Sequence, residues 1–176
     1  NVDFYVGFLG LRLVKRTGGY EDGQQLHLFY GDDRGSPGSL VTFLVWQDGA
    51  AGRVGTGQVS EIAFAVSSAS IGDWLVRALN RKVAVEGPVR EFGEPVLRLK
   101  DPDGIIVKLV GVNDTKQTAS ARPGPSVGRL RAVTILTGDP EQTSAFLRRF
   151  GYQAGSQVGN IRRMVSKTDA VDVRDA

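Results

Sequence analysis

The 176-residue sequence contains no cysteine, a single histidine and no apolar run that approaches the length of a membrane span. The absence of cysteine excludes disulfide bonds, thiolate metal sites and cysteine nucleophiles. Because His27 is the single histidine, a metal site with two histidine ligands cannot be built within the chain. A membrane span needs roughly 20 apolar residues, so we expect no membrane partner and a cytoplasmic protein.

The sequence also has little excess charge. The 22 basic and 19 acidic residues give a formal net charge of +3. The basic residues are scattered, and adjacent pairs such as those at 148–149 and 162–163 are too short for a nucleic-acid-binding tract. No base-stacking motif accompanies them, which argues against nucleic acid as a partner. With 41% hydrophobic residues, the chain can bury the core of one domain or of two small ones.

The chain does contain a repeated supersecondary unit. In the middle copy, the patterns predict a strand at 59–66, a short helix at 71–79 and later strands at 90–93 and within 96–112. A third copy has a strand at 130–136 and a helix at 140–150. The first copy begins in its helix, at 1–9, and we expect its opening strand to be missing from this chain. The Pro-containing polar stretch 113–128 is typical of a linker.

The helix-to-strand junction occurs twice with matching residues. Tyr5 and Gly10 of the first copy align without a gap to Phe146 and Gly151 of the third. We therefore divide the chain into a partial module one (1–58), module two (59–112), the linker (113–128) and a partial module three (129–176).

Four segments carry a resemblance to a known family: NVDFYVGFLGLRLVKRT, LHLFYGDDRGSPGSLVTFLVW, GQVSEIAFAV and DPDGIIVKLVG. Together with the repeat, they resemble the vicinal oxygen chelate superfamily of glyoxalase I, bleomycin-resistance proteins and extradiol dioxygenases. The likeness is greatest to its four-module ring-cleaving dioxygenases, similar to hydroquinone-type enzymes. The resemblance implies an α+β fold of repeated βαβββ modules, whose curved, mainly antiparallel sheets pair into cup-like barrels.

The resemblance also implies a function. It indicates a metal-dependent extradiol-type dioxygenase that cleaves catechol- or hydroquinone-like aromatics, with a small aromatic substrate as its partner. Such enzymes hold Fe(II) or Mn(II) with two histidines and one carboxylate. In this branch the ligands come from the first strand of module one and from module four, outside residues 1–176. Exposed sheet faces of unpaired modules also favour a homodimer.

Three positions of this chain correspond to metal-ligand positions in other modules of the family. Glu61 stands where ligand-bearing copies place histidine, Lys108 where they carry the carboxylate, and Arg131 at the matching place in module three. Lysine and arginine repel a divalent cation. Our hypothesis is that the three form an internal ion-pair cluster, because buried charges must be paired. In the alternative, they reach solvent at the rim of the cup.

The remaining candidates and alternatives stay open at the level of sequence. His27, Tyr30 and Trp46 are pocket candidates, although strand aromatics more often belong to the core and a lone histidine to the sheet's hydrogen bonding. The DPDG sequence at 101–104 fits a tight turn better than a calcium loop. The alternative functions are a non-catalytic aromatic-ligand-binding protein of the bleomycin-resistance kind, and a glyoxalase-like lyase or isomerase.

Overall fold

The computed structural model describes residues 1–19, 23–46, 49–50, 52–113, 126–167 and 170–176. A short π-helical segment, Asp3–Phe8, precedes a small antiparallel sheet. The small sheet contains β1 (Arg12–Gly18), β2 (Leu26–Gly31) and β3 (Val41–Val45), in that spatial order. Among the described residues, no helix is both long and apolar enough to cross a membrane.

The rest of the chain builds a large sheet of eight strands with two helices. Its first half contains β4 (Val59–Ser67), α1 (Ile71–Asn80), β5 (Ala84–Glu91), β6 (Glu94–Lys100) and β7 (Ile106–Val112). Its second half contains β8 (Leu130–Thr137), α2 (Pro140–Arg148), β9 (Gln153–Val158), β10 (Ile161–Val165) and β11 (Ala170–Asp175).

The two halves of the large sheet mirror each other. The strand order is β5-β6-β7-β4-β8-β11-β10-β9, so β4 and β8 meet in the middle as an antiparallel pair. Each central strand also has one parallel neighbour, β7 for β4 and β11 for β8. The predicted α+β fold of curved, mainly antiparallel sheets is confirmed. The module boundaries stay a prediction, and linker residues 114–125 lie outside the described residues.

Strand alternation divides the side chains of β4 between two environments. Phe64 and Val66 point into the main core, where the small sheet and the π-helical segment pack against the large sheet. Trp74 on α1 closes this core and meets the ring of Phe8 at 5.8 Å in an edge-to-face contact. Ala63 and Ala65 point the other way, and we call the face that carries them the inner face of the large sheet.

The first helix differs from the ungapped match between modules one and three. Gly10 and Gly151 do correspond, since both end a helix with positive φ angles of 77° and 84°. A π-helical turn holds about one residue more than an α-helical turn. Positions that precede Gly10 and Gly151 by the same number of residues therefore do not face the same way. Tyr5 is fully buried, whereas its predicted partner Phe146 is 56% exposed. In α2 the buried position belongs to Leu147 instead.

The predicted strand at 90–93 is right only for residues 90 and 91, because the chain turns at the next two residues. β5 ends at Glu91 and β6 begins at Glu94, which leaves Phe92 and Gly93 as a two-residue hairpin loop. Both loop residues have positive φ, 52° and 81°, as a type I′ turn requires. The sequence hid this turn because phenylalanine is a rare residue at positive φ.

Candidate functional site

Charged side chains gather on the inner face of the large sheet, beside the alanines of β4. Glu61 follows the same alternation as Ala63, and Lys108 follows that of Val110 on β7. Arg98 of β6 lies directly opposite Lys108 in the strand register. Two facing cations need anions between them. The residues that meet here, which we call the central cluster, are Glu61, Glu91, Arg98, Lys108, Asp172 and Arg174.

Lys108 lies at the centre of this cluster with a side chain only 2% exposed. Its Nζ is 2.9 Å from Oε2 of Glu91 and 3.1 Å from Oε2 of Glu61. Asp172, on the other half of the sheet, places Oδ2 3.9 Å away. Burial lowers the pKa of Lys108, while the hydrogen bond and charge of Glu91 oppose that change. Three carboxylates therefore surround one buried ammonium group.

Glu61 joins the two halves of the sheet through both carboxylate oxygens. Arg174 donates from Nη1 to Oε1 at 2.9 Å and from Nη2 to Oε2 at 3.1 Å, in a bidentate pair. The Thr134 hydroxyl donates to Oε2 at 3.0 Å, and Arg98 also contacts Oε1. Because Thr134 and Arg174 belong to the second half, Glu61 links the halves directly.

A second ion-pair chain extends from the central cluster. Arg163 of β10 holds Asp172 with Nε–Oδ1 at 2.9 Å and Nη2–Oδ2 at 3.2 Å. Its Nη1 donates to Oε2 of Glu94 at 2.9 Å, and its guanidinium stacks 4.0 Å from the centre of the Phe92 ring. Burial lowers the pKa of Arg163, but the hydrogen bonds and charges of Asp172 and Glu94 together more than compensate, so that pKa is raised overall. Arg131 completes the chain at the other oxygen of Glu94.

The structure thus brings two of the three sequence-predicted positions into contact. Glu61 and Lys108 form a buried ion pair. Arg131 pairs instead with Glu94, 2.9 Å from Nη2 to Oε1, and is linked to the cluster through Glu94 and Arg163.

The three pocket candidates lie around the small sheet in different environments. Tyr30 is fully buried, stacks on Tyr5 at 5.1 Å and donates its hydroxyl to Oδ1 of Asn1 at 2.8 Å. His27 is half-buried on the opposite face, which we call the outer face of the small sheet, with its ring 4.1 Å from that of Phe29. Trp46, just beyond β3, is 66% exposed. The role of each as a pocket residue stays a prediction.

Comparison with known proteins shows what this chain is similar to. No protein-family model matches the sequence. Two Bacillus subtilis (strain 168) proteins, MhqO and MhqE, each named "Putative ring-cleaving dioxygenase", are 30% identical over 99% of this chain. The match covers 57% of MhqO and 59% of MhqE, so the chain spans little more than half of their length. The chlorohydroquinone/hydroquinone 1,2-dioxygenase of Sphingobium indicum is 35% identical over 58% of this chain and 33% of its own.

Solved structures agree with the sequence relatives. The crystal structure of a "putative dioxygenase" from Bacillus subtilis superposes with a TM-score of 0.89 and 28% identity, over 99% of this chain and 58% of that one. The chain is therefore a homologue of proteins named as ring-cleaving dioxygenases. Glyoxalase I from Zea mays shares the fold alone, with a TM-score of 0.74 and 17% identity over 98% of this chain and 61% of its own.

Members of the vicinal oxygen chelate superfamily are typically metal-dependent, but the inner face does not fit a metal ion. Both oxygens of Glu61 are bonded to cationic or hydroxyl donors, and the Lys108 ammonium lies within the cluster. A divalent cation would be repelled by that ammonium and by the arginines around it. Within the described ranges, no group of three His, Asp or Glu side chains is placed to hold a metal.

Sequence reasoning missed most of the partners that make the cluster possible. Asp172 lies in a buried strand among apolar neighbours, and Arg163 precedes a fully buried methionine. A charged residue at an inward position of an otherwise apolar strand is the signal that could have identified both.

Proposed function

We propose that the protein is a metal-dependent ring-cleaving dioxygenase of catechol- or hydroquinone-like aromatics, and that its Fe(II) or Mn(II) ligands lie outside residues 1–176. The observation that carries this proposal is the match of nearly the whole chain to MhqO and MhqE at 30% identity. The substrate class is supported by the Sphingobium indicum relative, which is named a chlorohydroquinone/hydroquinone 1,2-dioxygenase.

The geometry supports a reaction centre away from the inner face of the large sheet. There the acidic groups are neutralised by ion pairs, so they cannot serve as metal ligands or as a general base. The outer face of the small sheet is different, because His27 is only half-buried and Leu44 is 53% exposed. We propose that this face, with His27 and Phe29, borders the catalytic centre, and that the large sheet supports it from behind.

The test uses intact protein purified without oxygen. We expect iron or manganese in stoichiometric amount and oxygen uptake with catechols or hydroquinones, accompanied by ring-opened products. Lys108→Met serves as a matched control, because a ligand set elsewhere predicts unchanged metal content per folded molecule. Absence of both metals and of oxygen uptake across the substrate panel would contradict the proposal, as would loss of metal from folded Lys108→Met protein.

A further inference from the structure

Arg131 has donor capacity that the ion-pair chain does not use. Its Nη2 donates to Glu94, but its Nε is buried and has no hydrogen-bond partner among the described residues. The residue also interrupts the pairing of β4 with β8: Ala63 faces Ala132, while Phe64 faces Leu130. Arg131 is therefore the extra residue of a β-bulge, a device that re-aims a side chain and recurs beside binding sites.

A cavity of about 540 Å³ lies at this end of the inner face, within the size range of small-molecule sites. Strands β5 to β8 and the segment after β4 form its walls. The residues that matter for its chemistry are Ser68, Arg90, Pro95, Val112, Asn113 and Arg131.

The cavity carries one net positive charge. Arg90 and Arg131 contribute two cations, and Glu94 contributes one anion. Both oxygens of Glu94 already accept bonds, from Arg131 at 2.9 Å and from Arg163 at 2.9 Å. Arg90 is held on β5 by a 2.8 Å bond from Nη1 to the carbonyl of Gly93. Both guanidinium groups are thus held in place, and both oxygens of the Glu94 carboxylate are already bonded. The positive charge that remains favours the binding of a single anion.

Neutral groups complete the site. The Ser68 hydroxyl donates to Oδ1 of Asn113, which turns the Nδ2 side of that carboxamide into the available donor. Pro95 and Val112 supply an apolar wall beside these donors. We propose that this cavity binds a small organic monocarboxylate with a compact apolar body, whose carboxylate is held by Arg90 and Arg131. The proposal goes beyond the dioxygenase function and does not depend on it.

The test is a titration of the purified protein with benzoate, followed by calorimetry and by amide chemical shifts. We expect saturable binding with a millimolar or lower Kd and the largest shifts at Ser68, Gly93 and Asn113. Arg90→Met should weaken binding at least tenfold. Arg16→Met, an exposed arginine on β1, is the matched control and should leave the Kd unchanged. Benzyl alcohol, which lacks the charge, should not bind.

The choice of variants separates a loss of binding from a loss of the folded structure. Arg131 takes part in the ion-pair chain, so the benzoate affinity of Arg131→Met is interpreted only if that variant folds. Arg90 lies outside that chain, and the benzoate affinity of Arg90→Met is sufficient to test the proposal. Unaltered benzoate affinity in Arg90→Met, shifts confined to another region, or no binding at all would overturn the proposal. Tighter binding of inorganic phosphate than of benzoate would overturn the assignment of a carboxylate.

Discussion

Replacing Lys108 with methionine tests whether the central cluster holds the large sheet together. Methionine keeps an unbranched chain of nearly the same length but lacks the ammonium group, so Glu91 and Glu61 lose contacts of 2.9 and 3.1 Å. Glu61 retains its bidentate pair with Arg174, whereas Glu91 retains only an Arg98 contact at 3.5 Å among the described residues. The cost therefore falls mainly on Glu91.

The expected loss follows from the cost of leaving a buried charge poorly paired. Removing one partner of a buried pair costs about 3–5 kcal/mol. Burial lowers the pKa of Lys108, so the ammonium carries a desolvation cost that methionine lacks. We therefore expect the lower end of the range, about 3 kcal/mol of unfolding free energy. For a chain of this size, that corresponds to a fall in Tm of roughly 6–12 °C.

Urea and thermal unfolding, followed by far-ultraviolet circular dichroism, measure this loss. The exposed Lys100→Met on β6 is the matched control and should change stability by less than about 0.5 kcal/mol. The double variant Lys108→Met/Glu91→Gln neutralises the stranded carboxylate and should recover at least half of the loss. The reasoning is refuted if Lys108→Met is as stable as the Lys100→Met control, or if Glu91→Gln adds its own full cost in the double variant.

Two further predictions concern other buried polar groups. Burial raises the pKa of Tyr5, and so does Asp101, which accepts a hydrogen bond from the tyrosine hydroxyl at 2.9 Å. The stability that this protonated hydroxyl contributes is fully present below a pH of about 10. It is lost at higher pH, because the tyrosine of the unfolded chain then ionises. Tyr5→Phe should cost about 1.5–3 kcal/mol at neutral pH and flatten the alkaline decline measured by urea unfolding from pH 8 to 11.5. Arg163→Lys should cost on the order of 2 kcal/mol, because lysine cannot hold Asp172 with two bonds. The same change at Arg162, a half-buried arginine whose partner Glu141 is 73% exposed, should cost less than about 0.5 kcal/mol in the same assay, and equal losses at both sites would contradict this explanation.

The sequence was sufficient for the architecture, because apolar periodicity and the repeat depend on local pattern. The helix with Ile71, Trp74 and Ala78 on its buried face lies almost where that spacing predicts. The hairpin at Phe92 and Gly93 could not be predicted, because tertiary contacts, including the Arg163 guanidinium on the Phe92 ring, hold phenylalanine at an unfavourable φ.

Only part of the candidate site could be predicted from the sequence. The family resemblance brought attention to Glu61 and Lys108, which do touch. The same reasoning could not place Arg131, because its direction depends on a bulge in the β4–β8 pairing that no local pattern encodes. The sequence could flag Asp172 as a charge in an apolar strand but could not name its partner, since Arg163 lies nine positions earlier on a neighbouring strand.

The mirrored order of the large sheet has a consequence for folding kinetics. The bonds from Thr134 and Arg174 to Glu61 join residues 73 and 113 positions apart, whereas strands within each half are closer in sequence. Closing such long loops costs conformational entropy before the stabilising contacts can form. We therefore expect each half of the sheet to form first and the central junction last. Interactions absent from the transition state act on the unfolding rate. The central cluster therefore sets how long a folded molecule survives, more than how quickly it forms.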